Sequence, residues 1–219
     1  MNIEKTKYEG IYQGFFGSKR ILLTKSFDGK TFFGERLMNG YRQFDFTRSK
    51  LAAAMMKTIS IVPIREGSSV LYLGASHGYT VSFLSDIVGP KGTVYCVEFA
   101  ARSMRDLIDI CEQRENLAPI LADANQPELY KDKITKVDII YQDIAQKNQV
   151  EILFKNLQFL KPNGYALIAI KSRSIDVTRL PSSIFEEVKN KLKTKLKIID
   201  FRILDPFERD HCFFVCQMI

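Results

Sequence analysis

Apolar and polar residues follow two different patterns along this 219-residue chain, and the change of pattern predicts its main elements. From residue 70 onward, apolar runs of strand length lie at 70–73, 93–97, 118–122, 137–142, 164–170, 196–203 and 211–217. Segments with apolar residues at helical spacing lie between them, at 79–88, 102–114, 147–159 and 181–193. This alternation predicts an α/β fold, with a mostly parallel sheet covered by helices on both faces. No long helix separates the last two runs, which predicts an antiparallel pair at the end.

The first 46 residues have a β-rich pattern instead. Short strand-like runs at 8–16, 20–24 and 30–33 are separated by glycines and by Asp28-Gly29, a dipeptide typical of hairpins. Ten of the chain's 25 aromatic residues lie here, which favours a packed face or a protein interface over an RNA-stacking platform. We therefore predict a small domain at 1–46 and a larger one at 47–219. The larger domain opens with a helix for which Thr47 is the expected N-cap.

The composition narrows the class of protein. A formal net charge of +7 favours polyanionic partners such as RNA, although many basic proteins bind no nucleic acid. No apolar run is long enough to span a bilayer and no signal-peptide core follows Met1, so we expect a cytoplasmic protein without a membrane partner. Four cysteines without a Cys-x-x-Cys pair, and only two histidines, predict reduced thiols and no metal site.

The strongest local signal is the turn after the run at 70–73. The apolar run stops at Gly74, small and polar residues follow, and Gly78 precedes an amphipathic helix. Glycines let the backbone approach a ligand, and the helix N-terminus offers unpaired N–H groups. The Gly-x-x-x-Gly spacing differs from the dinucleotide fingerprint Gly-x-Gly-x-x-Gly, so the turn alone indicates only a nucleotide-type cofactor.

Acidic residues end the next three predicted strands. Glu98 follows the second strand, where a doubly wound fold binds ribose hydroxyls; Asp123 follows the third and can accept a hydrogen bond from an adenine amino group. Asp143 follows the fourth strand and Lys171 follows the fifth. The three acids together predict an adenosine cofactor across the carboxyl edge of the sheet. An Asp and a Lys beside it can hold a cationic donor and orient an attacking hydroxyl, or can form a simple salt bridge at the rim.

These residues belong to a longer series of ordered motifs, through which the chain resembles the fibrillarin family of S-adenosylmethionine-dependent RNA ribose 2′-O-methyltransferases in its short archaeal form. The similarity runs from about Gly34 to the C-terminus. The shared motifs include Arg48-Ser49-Lys50-Leu51-Ala52-Ala53-Ala54, Ser85-Asp86-Ile87-Val88-Gly89-Pro90, Val97-Glu98-Phe99, Ala122-Asp123-Ala124, Asp143-Ile144-Ala145-Gln146, Ile170-Lys171-Ser172-Arg173-Ser174-Ile175-Asp176 and Glu208-Arg209-Asp210-His211.

The resemblance implies a Rossmann-like, seven-stranded class I methyltransferase sheet. It implies S-adenosylmethionine as the cofactor, bound by Gly74, Ala75, Gly78, Tyr79, Thr80, Glu98, Phe99, Asp123, Ala124, Asp143 and Gln146. The matching catalytic positions are Lys50, Asp143, Lys171 and His211. A ribose hydroxyl is a very weak acid, so a base must take its proton. Lys171 can be this base if burial and the charge of Lys50 lower its pKa. The Asp143 carboxylate would instead favour the ammonium form of Lys171, so orienting the lysine and the substrate is the role that suits Asp143.

The resemblance also implies the partners. The substrate would be ribosomal RNA, with transfer RNA as a second candidate, chosen by base pairing with a box C/D guide RNA. A Nop-type scaffold protein and a kink-turn-binding protein would complete the particle. We expect the scaffold to contact apolar surface around 102–114 or 127–131. Near the active edge, Arg48, Arg173, Arg179 and Lys171 are the expected phosphate contacts.

The glycine turn departs from the family pattern Gly-Ala-x-Ser-Gly-Thr-Thr, because His77 replaces serine and Tyr79 replaces threonine. We expect the bulky Tyr79 side chain to point away from the cofactor. If it does not, the alternative is a non-catalytic ribonucleoprotein subunit with a damaged pocket. A third hypothesis is a nicotinamide-dependent dehydrogenase, which the glycine spacing and the Asp143 and Lys171 positions disfavour.

Overall fold

A computed structural model describes residues 2–219 and shows two sheets. The N-terminal sheet has five antiparallel strands in the order β1-β2-β3-β5-β4. They are β1 (Ile3–Lys5), β2 (Ile11–Phe16), β3 (Lys19–Lys25), β4 (Leu37–Met38) and β5 (Tyr41–Phe44). A β-rich N-terminal region is therefore present, with more strands than the sequence pattern indicated.

Two predictions in this region were wrong. Residues 30–33 form a loop, because the Glu35 carboxylate accepts hydrogen bonds from the backbone N–H groups of Phe32 and Phe33 and bends the chain there. Asp28-Gly29 is likewise part of that loop. The hairpin turns lie instead at Gly17, between β2 and β3, and at Asn39-Gly40, where both residues have positive φ. Asn-Gly is the sequence signal for such a turn.

The larger sheet has seven strands in the order β11-β12-β10-β9-β6-β7-β8. They are β6 (Ser69–Leu73), β7 (Thr93–Glu98), β8 (Leu117–Leu121), β9 (Val137–Asp143), β10 (Leu160–Lys171), β11 (Leu196–Ile203) and β12 (His211–Met218). The helices are α1 (Lys50–Met56), α2 (Tyr79–Val88), α3 (Ala101–Cys111), α4 (Gln149–Asn156), α5 (Ser172–Ile175) and α6 (Pro181–Leu192). The strands β6 to β10 are parallel, and β12 runs antiparallel to both β10 and β11, as predicted.

Helix α1 begins two residues later than predicted. Ser49, which has an extended backbone, is the N-cap, and its hydroxyl accepts a hydrogen bond from the backbone N–H of Ala52. Thr47 lies in the turn before the helix, where its N–H and hydroxyl both donate to Asp45. The difference places Lys50 in the first turn of α1.

A buried cluster of charges joins the two sheets. Arg42 of β5 and Arg114, which follows α3, are fully buried, and both donate to Asp86 of α2, at 2.8 and 2.7 Å. Glu35 and Asp28 of the N-terminal loop complete the cluster on Arg42 and Arg114 respectively. Burial raises the pKa of Asp86, although the two guanidinium groups oppose this shift. Because an unpaired buried charge is costly, this cluster fixes the N-terminal sheet on α2.

The interior of the larger sheet is apolar on both faces. Val70 and Tyr72 of β6 pack into one hydrophobic cluster, and Leu71 and Leu73 pack into the other. This is the pattern expected of a central parallel strand with helices on both sides. Across residues 2–219, no helix is long and apolar enough to cross a membrane.

Candidate active site

The two glycines of the turn, Gly74 and Gly78, both have a backbone conformation that favours glycine and close neighbours where a Cβ would lie. Gly74 has φ of +83°, and a Cβ there would lie 2.4 Å from the carbonyl oxygen of Asp143. Gly78 has φ of +87°, and a Cβ there would lie 2.8 Å from the side chain of Ile110. The N–H groups of Gly74 and Ala75 both donate to the carbonyl of Val97, at 2.9 and 3.1 Å. The turn therefore lies against the ends of β7 and β9.

A cleft of about 370 Å³ opens beside this turn, at the carboxyl edge of the sheet. Of the predicted cofactor residues, those that line it are Gly74, Glu98, Phe99, Asp123, Ala124, Asp143 and Gln146. Ser76, Ala100, Ser103, Ile144 and Ala145 also line the cleft and were missed. Ser103 carries no local sequence signal, because it reads as an ordinary polar position on an amphipathic helix.

Glu98 organises the floor of the cleft. Its two carboxylate oxygens accept hydrogen bonds from the backbone N–H groups of Ser76 and Ala100, both at 2.8 Å, although the residue is buried. The first of these bonds holds Ser76 at a positive φ of 50°, a conformation that few residues other than glycine adopt. Each oxygen keeps a second lone pair. A ligand hydroxyl in the cleft can therefore donate to Glu98 without displacing a protein bond.

Two further residues of the lining, Asp123 and Phe99, offer complementary groups. Asp123 accepts a hydrogen bond from the backbone N–H of Asn125 through one oxygen, at 2.8 Å. Phe99 is 67% exposed at the mouth, where an aromatic ring can stack on a planar ligand.

The remaining predicted cofactor residues lie outside the cleft lining. Gly78 caps α2, Ala75 is buried in the turn, and the Thr80 hydroxyl donates to Ser49, at 3.0 Å. Tyr79 points toward the N-terminal sheet. Its hydroxyl accepts a hydrogen bond from the backbone N–H of Asp45.

The surroundings of Tyr79 explain how this large residue fits the turn. Its ring meets Phe33 edge-on, with 5.2 Å between centroids, and the Arg48 guanidinium lies 4.2 Å from the ring centroid. Burial raises the pKa of Tyr79 to about 12. The side chain thus replaces a small residue without occupying the cleft, which removes the observation that favoured a damaged pocket.

The four predicted catalytic residues come from elements that meet at one edge of the sheet. Lys50 Nζ lies 3.0 Å from Asp143 Oδ2, although the two residues are 93 positions apart. Burial acts to lower the pKa of Lys50, but the charge of Asp143 and its hydrogen bond outweigh burial and hold this pKa above its ordinary value. Lys50 therefore remains an ammonium group, and it is Lys50 rather than Lys171 that pairs with Asp143.

Lys171 and His211 face each other as Cα partners on β10 and β12. Lys171 is exposed at the end of β10, so its side chain is not buried in the free protein. His211 is buried, and its Nδ1 lies 2.6 Å from the carbonyl oxygen of Arg209. This oxygen accepts a hydrogen bond from Nδ1–H, so the proton of the neutral ring is on Nδ1 and Nε2 is an acceptor. Burial lowers the pKa of His211, and the charge of the Lys50 ammonium lowers it further. The hydrogen bond to Arg209 acts to raise this pKa but does not outweigh the other two effects.

The expected phosphate contacts are partly engaged within the protein. Arg173 pairs with Asp210 at 3.1 Å, and Arg179 pairs with Glu187 at 2.6 Å, both on the surface. In the described residues 2–219, no group of three or more His, Cys, Asp or Glu side chains could hold a metal ion.

Comparison with known proteins decides the family. The model of the Fibrillarin family matches residues 3–219. The chain belongs to the fibrillarin family. A fibrillarin-like rRNA/tRNA 2′-O-methyltransferase from Methanocaldococcus jannaschii is 47% identical to this chain, in an alignment that covers 96% of this chain and 95% of that protein.

Two solved fibrillarin structures extend this similarity to three dimensions. Fibrillarin from Aeropyrum pernix, solved with natively bound S-adenosyl-L-methionine, has a TM-score of 0.90 and 41% identity, and the match covers 99% of this chain and 98% of that one. The fibrillarin of a fibrillarin/Nop5p complex has a TM-score of 0.86 and 42% identity, and the match covers 91% and 94% of the two chains. The fibrillarin fold is thus present over almost the whole chain described here.

Proposed function

We propose that this fibrillarin-family protein transfers a methyl group from S-adenosylmethionine to the 2′-oxygen of a ribose in ribosomal or transfer RNA. The observation that carries the proposal is the position of Asp143. It lines the cleft beside the glycine turn and also forms the ion pair with Lys50. A cofactor in the cleft and a hydroxyl group held at this pair would therefore be neighbours.

The cleft fits the proposed cofactor in three chemical respects. Glu98 has free lone pairs for ribose hydroxyls, Asp123 suits an adenine amino group, and Phe99 offers a ring face for the base. Gly74, which no larger residue can replace without a clash, leaves space beside Asp143, and Gln146 lines the same cleft. When bound, S-adenosylmethionine supplies an electrophilic methyl group on a cationic sulfonium.

The chain's own residues then bind the ribose and manage the hydroxyl proton. The Asp143 carboxylate, fixed by Lys50, accepts a hydrogen bond from the 2′-hydroxyl and orients it. Two groups at this edge can take the proton. Burial lowers the pKa of His211, which favours the neutral ring with Nε2 free to accept, and Lys171, its Cα partner on β10, has an exposed side chain that a bound RNA would cover. We assign Lys171 as the base and His211 as a supporting acceptor.

The partners extend the same proposal. Guide RNA of the box C/D type would select the target nucleotide by base pairing, a Nop-type scaffold would hold the enzyme, and a kink-turn-binding protein would anchor the RNA, in the cytoplasm. Exposed apolar side chains on the two segments expected to meet the scaffold, Ile108 on α3 and Leu129 on the 3₁₀ turn that follows β8, support this placement.

Cofactor binding and turnover test the proposal in two steps. Titration calorimetry should show saturable binding of S-adenosylmethionine, displaced by S-adenosylhomocysteine and unaffected by NAD. In a reconstituted guide complex, Lys171→Ala should abolish methylation and leave the cofactor affinity nearly unchanged. Substantial turnover by Lys171→Ala would remove its assignment as the base. No cofactor binding at near-millimolar concentration would favour a non-catalytic ribonucleoprotein subunit.

A further inference from the structure

Gln149 is a buried amide that contacts the backbone of the proposed base. It is the first residue of α4 and is fully buried. Its side-chain Nε2 donates to the carbonyl oxygen of Lys171, and its Oε1 accepts from the N–H of Lys171, both at 3.1 Å. A side-chain amide is a donor and an acceptor at fixed separation, so it pairs with a residue's backbone as a neighbouring strand would.

The sheet explains why Lys171 needs such a partner. Strand β9 ends at Asp143, which is opposite Ala169 of β10, so β10 continues two residues beyond its parallel neighbour. The backbone groups of Lys171 on that side would have no strand to pair with, and Gln149 supplies the missing bonds. The N–H and C=O groups of Lys171 both point to Gln149 and therefore away from β12. Lys171 and His211 are thus a non-hydrogen-bonded antiparallel pair, the kind in which the two Cα atoms lie closer together.

A second buried glutamine connects Gln149 to the end of β9. Gln142 precedes Asp143, is fully buried, and donates from Nε2 to the carbonyl oxygen of Gln149, at 2.7 Å. The backbone positions of Asp143 and Lys171 are thereby connected through two fully buried side chains. Neither glutamine lines the cleft.

We infer that Gln149 is a positioning residue for methyl transfer, which sets the place of Lys171 relative to Asp143. This inference rests on the proposed function. A displacement of about 1 Å in a reacting group can cost about 100-fold in rate, so loss of both bonds should lower turnover without weakening the binding of either substrate.

The test variant is Gln149→Met, which keeps the length and approximate volume of the side chain and removes both hydrogen bonds. In the reconstituted complex we expect kcat to fall about 10- to 100-fold, with KM for guided RNA and the affinity for S-adenosylmethionine unchanged. Backbone amide exchange at Lys171 should become faster in the free protein. The matched control is Asn116→Leu, which removes a buried amide that donates to the carbonyls of Ser85 and Gly89 at the far end of the sheet. It should lower stability but leave kcat intact.

Two further comparisons separate positioning from a general structural role. Amide exchange at Lys171 should be much faster in Gln149→Met than in Asn116→Leu, because only Gln149→Met loses the bonds to the Lys171 backbone. Gln149→Glu reproduces both bonds only when protonated, and burial favours that form, so its kcat relative to the wild type should fall as pH rises. This variant also serves if Gln149→Met does not fold.

The outcomes are distinguishable. Full kcat in Gln149→Met, or exchange at Lys171 no faster than in Asn116→Leu, would overturn the inference and leave the proposed function standing. An inactive wild type that binds no cofactor would overturn the proposed function, whereas the exchange at Lys171 would still report whether Gln149 holds that backbone.

Discussion

Gly74→Ala is the substitution for which the structure gives the most definite expectation. The new Cβ would lie 2.4 Å from the carbonyl oxygen of Asp143, whereas ordinary contact begins at 3.4 Å, so the Asp143 backbone must move by about 1 Å. A left-handed conformation adds about 1–2 kcal/mol for a residue with a Cβ, and overpacking adds about 1–3 kcal/mol. We expect a total near 3 kcal/mol, which lowers Tm by roughly 6–12 °C for a chain of this length.

The matched control is Gly17→Ala. Gly17 also has a positive φ, of 61°, but nothing lies within 4 Å of a Cβ built there. The free energy of unfolding of this control variant should therefore fall by only about 1–2 kcal/mol, and its activity should be unchanged. Because Gly74→Ala also displaces Asp143, its methylation rate should fall by about 100-fold. Thermal unfolding and guided methylation of both variants measure the two effects. Equal Tm values and equal rates for the two variants would mean that a Cβ at position 74 does not displace Asp143.

Three further predictions concern other parts of the molecule. Arg42→Met removes one of the two guanidinium groups that pair with the buried Asp86 carboxylate. It should lower the free energy of unfolding, measured with denaturant, by about 3–5 kcal/mol. Arg179→Ala breaks only a surface pair and should cost less than about 1 kcal/mol; similar losses in the two variants would contradict the buried-cluster account. Tyr79→Thr restores the small family residue but removes packing and the bond to Asp45, so stability should fall by about 1–3 kcal/mol. Calorimetry should find its cofactor affinity unchanged, and a large gain in affinity would mean that Tyr79 obstructs the cleft. Burial lowers the pKa of His211, so the unfolded chain takes up the proton first as pH falls, and stability should be lost below about pH 6.5. Unfolding between pH 7 and 5 should show a smaller loss in His211→Gln, and an equal loss would contradict this.

The parts of the site that the sequence could predict are those carried by local pattern. The run at 70–73, the two glycines and the helix after them identified the turn, and the acids that follow successive strands identified the edge on which the cleft lies. These signals work because the carboxyl ends of parallel strands must meet at one edge.

The parts that sequence could not predict depend on contacts between distant residues. Asp143 pairs with Lys50 rather than Lys171, and this depends on where α1 packs, which no local pattern reports. Gln149 reads as an ordinary polar residue at a helix start, and only the unequal ends of β9 and β10 give it a role.

The N-terminal region shows a third kind of difficulty. Arg42 and Arg114 read as surface charges but are fully buried among acidic partners. The Asn39-Gly40 turn carried a recognisable hairpin signal, but β4 before it has only two residues, too few to show as an alternating strand.

Guided methylation by the wild type and by Asp143→Ala, with the modified nucleotide mapped on the target RNA, measures whether Asp143 orients the ribose hydroxyl. With the wild type we expect a single 2′-O-methyl group at the guide-specified ribose. With Asp143→Ala we expect a loss of at least about 100-fold in single-turnover rate, because the hydroxyl is no longer oriented and the Lys50 ammonium loses its partner. Methylation at the wild-type rate by Asp143→Ala, in a protein that still folds and binds S-adenosylmethionine, would contradict this role of Asp143.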